Sequence, residues 1–311
     1  MRALIVTNMY PSPGRPALGA FVRDQVEALR ALGAEVEVWR FEAGGVRYAR
    51  AWGQARRRFG RGEWDVVHAH FGLSALAALG VRDVPRVVTL HGTDLHHPAS
   101  GPVSRALLRW LDLPAAVSAT LAARIPGAST RRRVAVLPCG VDLGRFRPLP
   151  RGEARAALGL DPARRYLLLP TDPARRVKRA DRARALAAAA GAELLTLGAE
   201  HPARMPLWVN AADAVCVPSE EEGFGLATLE ALACDVPVLA TPRGVAPLAL
   251  RGVTGTLCAE WDLEVWRRAL APHLAVADPR VAGRRRAALF GARRMADRVL
   301  VAWEELVRTR S

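Results

Sequence analysis

Short apolar segments alternate with amphipathic helical segments along this chain, and this alternation limits its fold more than any other feature. Residues 3–7, 35–40 and 65–69 have the composition of buried strands, and apolar residues recur at helical spacing between them. Strands that alternate with helices form parallel sheets with helices on both faces. The pattern starts again at residues 166–169, after a Pro-Leu-Pro segment at 148–150 that has the character of a linker. We therefore predict two doubly wound α/β domains.

Composition is consistent with two domains and limits where the protein works. The chain has 311 residues, of which 50% are hydrophobic, enough to bury two cores. No apolar run is long enough to span a membrane, and no secretory signal is recognisable. The four cysteines are widely separated and form no Cys-x-x-Cys pair, so we expect reduced thiols in the cytoplasm rather than disulfides or zinc ligands. They are Cys139, Cys216, Cys234 and Cys258.

The most informative stretch runs from Pro218 to Thr241 and joins two apolar strands through a helix. Its loop contains glycines at 223 and 225, which let the backbone approach a ligand closely. The helix that begins near Gly225 offers free N–H groups to an anion. Glu222 and Glu230 are eight positions apart, on nearby faces if the helical path holds. This arrangement suits an elongated ligand with hydroxyls at both ends and phosphate between them.

The order of residues in this stretch resembles the donor-domain signature of the retaining glycosyltransferases of family 4. That signature reads Pro-Ser-x-x-Glu-Gly-Phe-Gly-Leu-x-x-Leu-Glu-Ala-x-Ala-x-Gly-x-Pro-Val. The chain has one extra residue between Ser219 and Glu222, and Asp235 where glycine is usual. The resemblance implies the GT-B fold, two Rossmann-like parallel-sheet domains facing across a cleft. It assigns residues 1–148 to an acceptor domain and 149–295 to a donor domain, with a helix of about 296–311 that returns to the first.

Other family motifs follow in the family's order. The loop before Phe21 resembles the family's glycine loop, although Gly19 stands alone where two glycines are usual. His91-Gly-Thr-Asp resembles the motif after the fourth strand, at an edge where ligands of α/β sheets bind. For His68 and His70, which alternate onto one face of a strand, packing and acceptor contact remain equal alternatives. His96 and His97 are expected to be solvated loop residues. We do not expect a metal site from His91, His96 and His97, because their spacing fits no common motif.

Lys178 is the only lysine among 45 basic residues. It follows a strand of the second domain, where the family has a lysine and, five residues earlier, an arginine that together hold the donor diphosphate. The fifth residue before it is Pro173, so the arginine is out of register, and Arg175 or Arg176 is the candidate to substitute for it. A single lysine in an arginine-rich chain indicates a need for a compact ammonium group.

The resemblance implies a metal-independent glycosyltransferase that moves a sugar from a nucleotide-diphosphate sugar to a hydroxyl acceptor with retention, in cell-surface glycan or glycolipid synthesis. No cofactor is expected besides the donor substrate. The implied catalytic residues are Glu222, which contacts the sugar, Lys178, which contacts the diphosphate, and His91, in the region where sugar meets acceptor. The implied donor-binding residues are Gly19, Arg175, Lys178, Glu222, Gly223, Phe224, Gly225, Leu226 and Glu230.

The net charge of +15 is concentrated in the first half, where residues 1–150 hold 21 arginines against 11 acidic residues. Arg56, Arg57, Arg58 and Arg61 stand among the aromatic residues 52, 59 and 64, in a segment that could lie along a membrane. The triplet at 131–133 is more typical of a solvated surface. We therefore predict an acceptor, sugar or glycolipid, that is anionic or carried on a lipid at the inner membrane face.

Two alternative functions remain at this stage. One is another GT-B enzyme, a sugar phosphorylase or a nucleotide-sugar epimerase. The other is a non-catalytic nucleic-acid-binding protein, which the basic charge alone would suggest. The chain contains no recognisable RNA or DNA motif and only 6% aromatic residues, so nucleic acid is not an expected partner.

Overall fold

The computed structural model describes residues 1–60, 63–130, 133–198 and 200–309. They form two compact units, residues 1–140 with 292–311 and residues 141–291. The sequence-based boundaries lie at 148 and 295. The segment from 141 to 148 packs with the second unit because Arg284 donates hydrogen bonds of 2.7 Å to the carbonyls of Leu143 and Phe146. The adjoining proline-rich segment is held there as well, since Arg280 Nη2 donates to the carbonyl oxygen of Leu149 at 2.6 Å.

The first unit is built on a six-stranded parallel sheet. Its strands are β1 (Arg2–Thr7), β2 (Glu35–Arg40), β3 (Val66–His70), β4 (Arg86–Leu90), β5 (Leu113–Ala116) and β6 (Ala135–Val136), in the order β2-β1-β3-β4-β5-β6. The helices before the second unit are α1 (Ala20–Ala31), α2 (Gly45–Arg58), α3 (Ser74–Ala78), α4 (Thr93–His96), α5 (Ser100–Leu107) and α6 (Ala119–Ala123). The four central strands, β1, β3, β4 and β5, are buried on both faces, as their near-continuous apolar runs predict, whereas the edge strands β2 and β6 are partly exposed.

The second unit repeats the plan with five parallel strands. These are β7 (Tyr166–Leu169), β8 (Glu193–Thr196), β9 (Ala214–Val217), β10 (Val238–Ala240) and β11 (Leu257–Cys258), in the order β11-β10-β9-β7-β8. Its helices are α7 (Arg151–Leu158), α8 (Ala180–Ala189), α9 (Met205–Ala211), α10 (Leu226–Ala233), α11 (Ala246–Ala249), α12 (Leu263–Leu274) and α13 (Arg284–Ala287). In both sheets the chain order reverses beside the first strand, and such switch points are where α/β sheets bind ligands.

The last helix, α14 (Ala292–Arg308), belongs to the first unit. The sequence pattern predicts one helix over residues 280–307, but the structure interrupts it at Gly291, where a 3₁₀ turn at Ala288–Phe290 ends. Met295, Val299 and Trp303 of α14 join the same apolar core as Ile5 and Val26. Burial of this apolar stripe attaches the helix to the sheet. No helix in the described ranges is long and apolar enough to cross a membrane.

Candidate functional site

A cavity of about 230 Å³ opens in the second unit where β7 and β9 end side by side. This is the switch point of the sheet, since β8 lies on one side of β7 and β9 on the other. The cavity brings together six of the residues that the sequence nominates, although two separate segments of the chain supply them. These six residues are Arg175, Lys178, Glu222, Gly225, Leu226 and Glu230.

Lys178 and Glu222 form the central contact of this cavity. The ammonium nitrogen Nζ lies 2.7 Å from both carboxylate oxygens of Glu222, and the two side chains are 13% and 10% exposed. Ser219 Oγ donates a third hydrogen bond to the Glu222 oxygen Oε1 at 2.8 Å. The lone lysine is therefore held by charge-assisted hydrogen bonds in one position at the cavity wall.

The helix α10 begins at this cavity and its first residues line it. Gly225 precedes the helix with φ of 91°, in the left-handed region that glycine adopts without strain. Leu226 and Ala227 of the first turn line the cavity, and Glu230, which is half-buried, lines it one turn further on. The eight-position spacing of Glu222 and Glu230 thus places both carboxylates in one cavity.

The structure distinguishes between the two arginines that the sequence leaves open. Arg175 lines the cavity, whereas Arg176 is not among its lining residues. Phe224 is buried and packs behind the loop, and Gly223 also lies outside the lining.

Gly244 supports this loop from behind, although it is not among the site residues that the sequence predicts. A Cβ atom at Gly244, whose φ is +57°, would lie 2.3 Å from the carbonyl oxygen of Phe224 and 2.9 Å from Glu222 Cβ. The next residue, Val245, donates its N–H to the same Phe224 oxygen at 2.7 Å. Only glycine permits this approach. The sequence feature that could have identified this residue is a glycine in the loop after β10.

Gly19 and His91, which the sequence also nominates, belong to the first unit. Gly19 precedes α1 with φ of 68°, and a Cβ there would lie 2.3 Å from the carbonyl oxygen of Met9. His91 follows β4, where the carboxylate of Asp94 accepts the backbone N–H groups of His91, Gly92 and Gly72 at 2.8–3.1 Å. Burial raises the pKa of Asp94, although these hydrogen bonds act against the shift. Asp94 thus organises the backbone that carries His91.

Three histidines form a connected group at the ends of β3 and β4. His68 and His70 are fully buried and their rings stack at 4.7 Å. The His70 Nδ1 atom lies 3.1 Å from Nε2 of His91. Burial lowers the pKa of all three, that of His70 to about 3, so the rings are neutral at physiological pH. The buried positions of His68 and His70 fit the alternative of packing better than that of acceptor contact. His70 also contacts His91, one of the site residues that the sequence predicts.

The remaining histidines of this region lie at the surface. His96 and His97 are exposed, as predicted, and His96 Nε2 pairs with Arg124 at 3.2 Å. Among the described residues, no group of three or more histidine, cysteine or acidic side chains could hold a metal ion. All four cysteines are free.

A second cavity, of about 760 Å³, lies in the first unit beyond the ends of β1 and β2. Its charged lining residues are Arg15, Arg40, Arg47 and Glu42. Glu42 accepts a hydrogen bond of 2.5 Å from Arg47, which leaves an excess of positive charge. Asn8, which follows β1, connects this cavity to α3 because Ser74 Oγ donates to its Oδ1 atom at 3.2 Å.

In the basic segment at the end of α2, one of the interleaved aromatic residues faces the core and another lies at the surface. Phe59 is buried and packs against Trp39 with ring centroids 5.6 Å apart, so it faces the core. Trp52 is 39% exposed, with the Arg56 guanidinium over its ring. Arg61 of this segment, and Arg131 and Arg132 of the other basic cluster, lie outside the described residues.

Known protein families and their members match this chain in both of its units. Residues 18–145 match the family described as Glycosyltransferase Family 4, and residues 173–275 match Glycosyl transferases group 1. The D-inositol 3-phosphate glycosyltransferase of Actinosynnema mirum is 33% identical over 282 residues, covering 71% of this chain and 68% of the relative. The enzyme of the same name from Segniliparus rotundus is 30% identical and covers 72% of this chain, but the match spans 62% of its own length.

Solved structures share the architecture. Sucrose-phosphate synthase from Thermosynechococcus elongatus superposes with a TM-score of 0.74 at 19% identity, covering 99% of both chains. Anabaena HepE in complex with UDP-glucose gives a TM-score of 0.73 at 18% identity, covering 98% of this chain and 100% of the other. At such identities the likeness shows the fold, which is GT-B, with two parallel-sheet Rossmann-like domains.

Proposed function

The chain belongs to glycosyltransferase family 4, and we propose that it transfers a sugar from a nucleotide-diphosphate sugar to a hydroxyl acceptor with retention of configuration. The observation that carries the proposal is the convergence of Lys178, Glu222 and Glu230 on one cavity at the switch point of the second sheet. Anabaena HepE, which shares the fold, is described in complex with UDP-glucose. That description supports a nucleotide sugar as the donor.

The cavity is matched to part of such a donor. Its volume of about 230 Å³ is below the roughly 300–1,000 Å³ typical of sites that enclose a whole drug-sized ligand. We assign it to the diphosphate and the groups next to it. Lys178 and Arg175 supply positive charge, and the backbone N–H groups at the start of α10 supply further donors for phosphate oxygens. Glu230 accepts from the ribose hydroxyls and Glu222 from the sugar.

In this proposal, catalysis consists of stabilising the departing diphosphate. Negative charge develops on the phosphate oxygen as its bond to the sugar breaks, and a fixed ammonium group at that point lowers the barrier. The leaving phosphate oxygen accepts the proton of the acceptor hydroxyl on the same face of the sugar. The bond to the acceptor therefore forms on the face that the diphosphate leaves, which gives retention. His91 contributes where sugar and acceptor meet.

Lys178 and Arg175 supply the positive charge that a metal ion provides in other transferases, so we propose a metal-independent reaction. Turnover should be the same in EDTA and in added Mg²⁺ or Mn²⁺. A rate that EDTA abolishes and the metal restores would contradict this.

The proposed acceptor carries an anionic group. The cavity beyond β1 and β2 has three arginines against one glutamate in its lining, in the unit that carries His91. Several relatives are named D-inositol 3-phosphate glycosyltransferases, which supports a phosphate-bearing polyol. The inward packing of Phe59 weakens the case for a membrane-bound acceptor. Reduced cysteines favour the cytoplasm as the location.

The deciding experiment has two stages. A thermal-shift panel of nucleotide sugars identifies the donor, because a ligand at 100 times its Kd stabilises the folded state by about 2.7 kcal/mol. The donor found is then incubated with an acceptor panel, and products are analysed by mass and by the anomeric coupling constant in NMR. A retained glycoside supports the proposal. Conversion of the donor without an acceptor would indicate an epimerase, and a phosphate-dependent sugar phosphate a phosphorylase.

A further inference from the structure

The strongest unassigned feature of the molecule is the buried contact between His70 and His91. His70 is the last residue of β3 and His91 follows the end of β4, and these strands pair in parallel register. The His70 Nδ1 atom lies 3.1 Å from His91 Nε2. His70 is fully buried, whereas His91 is half-buried at the edge of the sheet.

The positions of the ring protons in the three histidines follow from the contact of His68 with Trp303. An indole N–H only donates, so Trp303 Nε1 must donate to Nδ1 of His68, which lies 3.2 Å away. Neutral His68 therefore carries its own proton on Nε2 and donates it to Thr89 Oγ1 at 2.7 Å. The stacked neighbour of His70 is thus fixed in one tautomer by α14 and β4.

The tautomer of His70 follows from the surroundings of its second ring nitrogen. Its Nε2 atom is buried and has no hydrogen-bond partner among the described residues. A proton on that atom would bury an unpaired N–H group, and these are rarer in proteins than unpaired acceptors. The proton of the neutral ring therefore lies on Nδ1, where His91 Nε2 accepts it.

We propose that His70 is a positioning residue that holds His91 as its Nδ1–H tautomer, so that His91 presents a neutral N–H donor to the substrate. With Nε2 occupied by the hydrogen bond from His70, the remaining nitrogen of His91 is Nδ1, which makes no hydrogen bond within the described ranges. The rings of Phe21 and Phe71 lie 4.8 and 4.7 Å from that of His91 and restrict its rotation. The role of His91 toward substrate rests on the proposed function, but its tautomer does not.

This assignment limits what His91 can do. A neutral Nδ1–H group can donate a hydrogen bond to a sugar hydroxyl or to developing negative charge, but it cannot accept the proton of the acceptor. His91 is then a polarising group, and the base must be another atom, which agrees with a leaving phosphate that takes the proton.

The first test reads the tautomer directly in the unaltered protein. Ring ¹⁵N chemical shifts of His91, assigned by loss of the signals in His91→Gln, distinguish Nδ1–H from Nε2–H. The expected result is a protonated Nδ1 and an unprotonated Nε2 from pH 6 to 8. An Nε2–H tautomer, or a charged ring in this range, would overturn the proposal whether or not the reaction class is right.

The second test uses two variants of His70. In His70→Asn the amide nitrogen occupies the place of Nδ1 and can still donate to His91, whereas His70→Phe fills the space without a donor. We expect His70→Phe to lower kcat by up to about tenfold, because a hydrogen bond between two neutral rings is lost. Donor Kd should be unchanged, and His70→Asn should recover most of the rate.

Each outcome of this second test is decisive. Equal kcat in the two variants would show that His70 acts through packing only and would overturn the proposal. If His70→Phe does not fold, the comparison of His70→Asn with the unaltered protein, read by the His91 ¹⁵N shifts, takes its place. Donor binding in the thermal-shift assay reports separately on the proposed function.

Discussion

The Lys178 ammonium group and the Glu222 carboxylate are joined by two hydrogen bonds of 2.7 Å, although 44 positions separate them in the chain. Each would serve a different part of a nucleotide sugar, the lysine its diphosphate and the glutamate its sugar. Their pairing means that an incoming diphosphate must share the ammonium group with a carboxylate that is already held by Ser219. If the proposed donor binds here, the pair would hold the lysine in position beforehand, which would reduce the reorganisation that catalysis requires.

Lys178→Arg should lower kcat by at least about tenfold, even though the chain is rich in arginine. The planar guanidinium is longer and cannot occupy a place where one nitrogen bridges two oxygens at 2.7 Å. Steady-state kinetics with the identified donor are the measurement. Arg176→Lys, at an exposed neighbour outside the cavity, is the control and should keep full activity. Equal activity of Lys178→Arg would show that the lysine is incidental.

Glu230→Ala should weaken donor binding by about 10- to 100-fold, because hydrogen bonds to a charged group contribute roughly 1.5–3 kcal/mol. Isothermal calorimetry with the donor and with its free nucleoside diphosphate measures the loss in both, since both carry the ribose. Glu221→Ala removes an exposed carboxylate outside the cavity and should leave the affinity unaltered. Unchanged affinity in Glu230→Ala would remove that residue from the site.

Gly19→Ala should destabilise the first unit and reduce turnover, because its Cβ would meet the Met9 carbonyl oxygen at 2.3 Å and the backbone has φ of +68°. Strain of this kind costs about 1–3 kcal/mol, measurable as a lower Tm. Gly14→Ala is the matched control in the same loop, since no atom lies within 4 Å of its Cβ position. A Tm equal to that of the control would show that the loop moves aside without cost.

The first unit should lose stability as pH falls below about 6.5. Burial lowers the pKa of His68, His70 and His91 in the folded state, that of His70 to about 3. Between about pH 6.5 and the lowered pKa of each folded-state ring, the unfolded chain therefore binds more protons than the folded chain. As the pH decreases through this range, the free energy of unfolding decreases by up to ~1.4 kcal/mol per pH unit for each histidine. Asp94, whose pKa burial raises, acts in the opposite direction at lower pH.

Scanning calorimetry from pH 5 to 8 measures this dependence. The transition of the first unit is identified with Trp303→Phe, which removes the hydrogen bond to His68 and should lower only that Tm. His97→Gln alters an exposed histidine and should leave the pH dependence unchanged. A Tm of the first unit that does not vary between pH 5 and 7 would contradict neutral buried rings.

Arg15→Gln and Arg40→Gln should weaken binding of a phosphorylated polyol but not of its neutral counterpart, because both side chains line the cavity beyond β1 and β2. Myo-inositol 3-phosphate and myo-inositol form a suitable pair of probes for calorimetry. Arg50→Gln is the control, at an exposed arginine of α2 outside that lining.

Two results would count against an anionic acceptor in this cavity. One is equal affinity of the unaltered protein for the two probes. The other is salt-dependent co-sedimentation with anionic liposomes, together with activity on a lipid-linked acceptor. The second result would restore the membrane role that the sequence suggested for residues 56–61.

The sequence by itself determined the two-unit α/β plan and predicted several residues that the structure brings together at the candidate site. Alternating apolar and amphipathic segments indicate two parallel-sheet units because burial on both faces of a strand and on one face of a helix leaves different periodicities. The glycines at 223 and 225, the spacing of Glu222 and Glu230, and the isolated Lys178 are local features. They were readable because a loop, a helix and an ammonium group each impose their requirements within a few residues.

Only the tertiary structure decided which distant groups meet. Parallel pairing brings the carboxyl ends of β7 and β9 together, so Lys178 meets Glu222 and Arg175 enters the cavity while Arg176 does not. The register of β3 and β4 sets His70 against His91, and α14 returns to fix the tautomer of His68 through Trp303. Such contacts depend on the order of the strands and on the torsion angles of individual side chains, and neither of these produces a periodic pattern in the sequence.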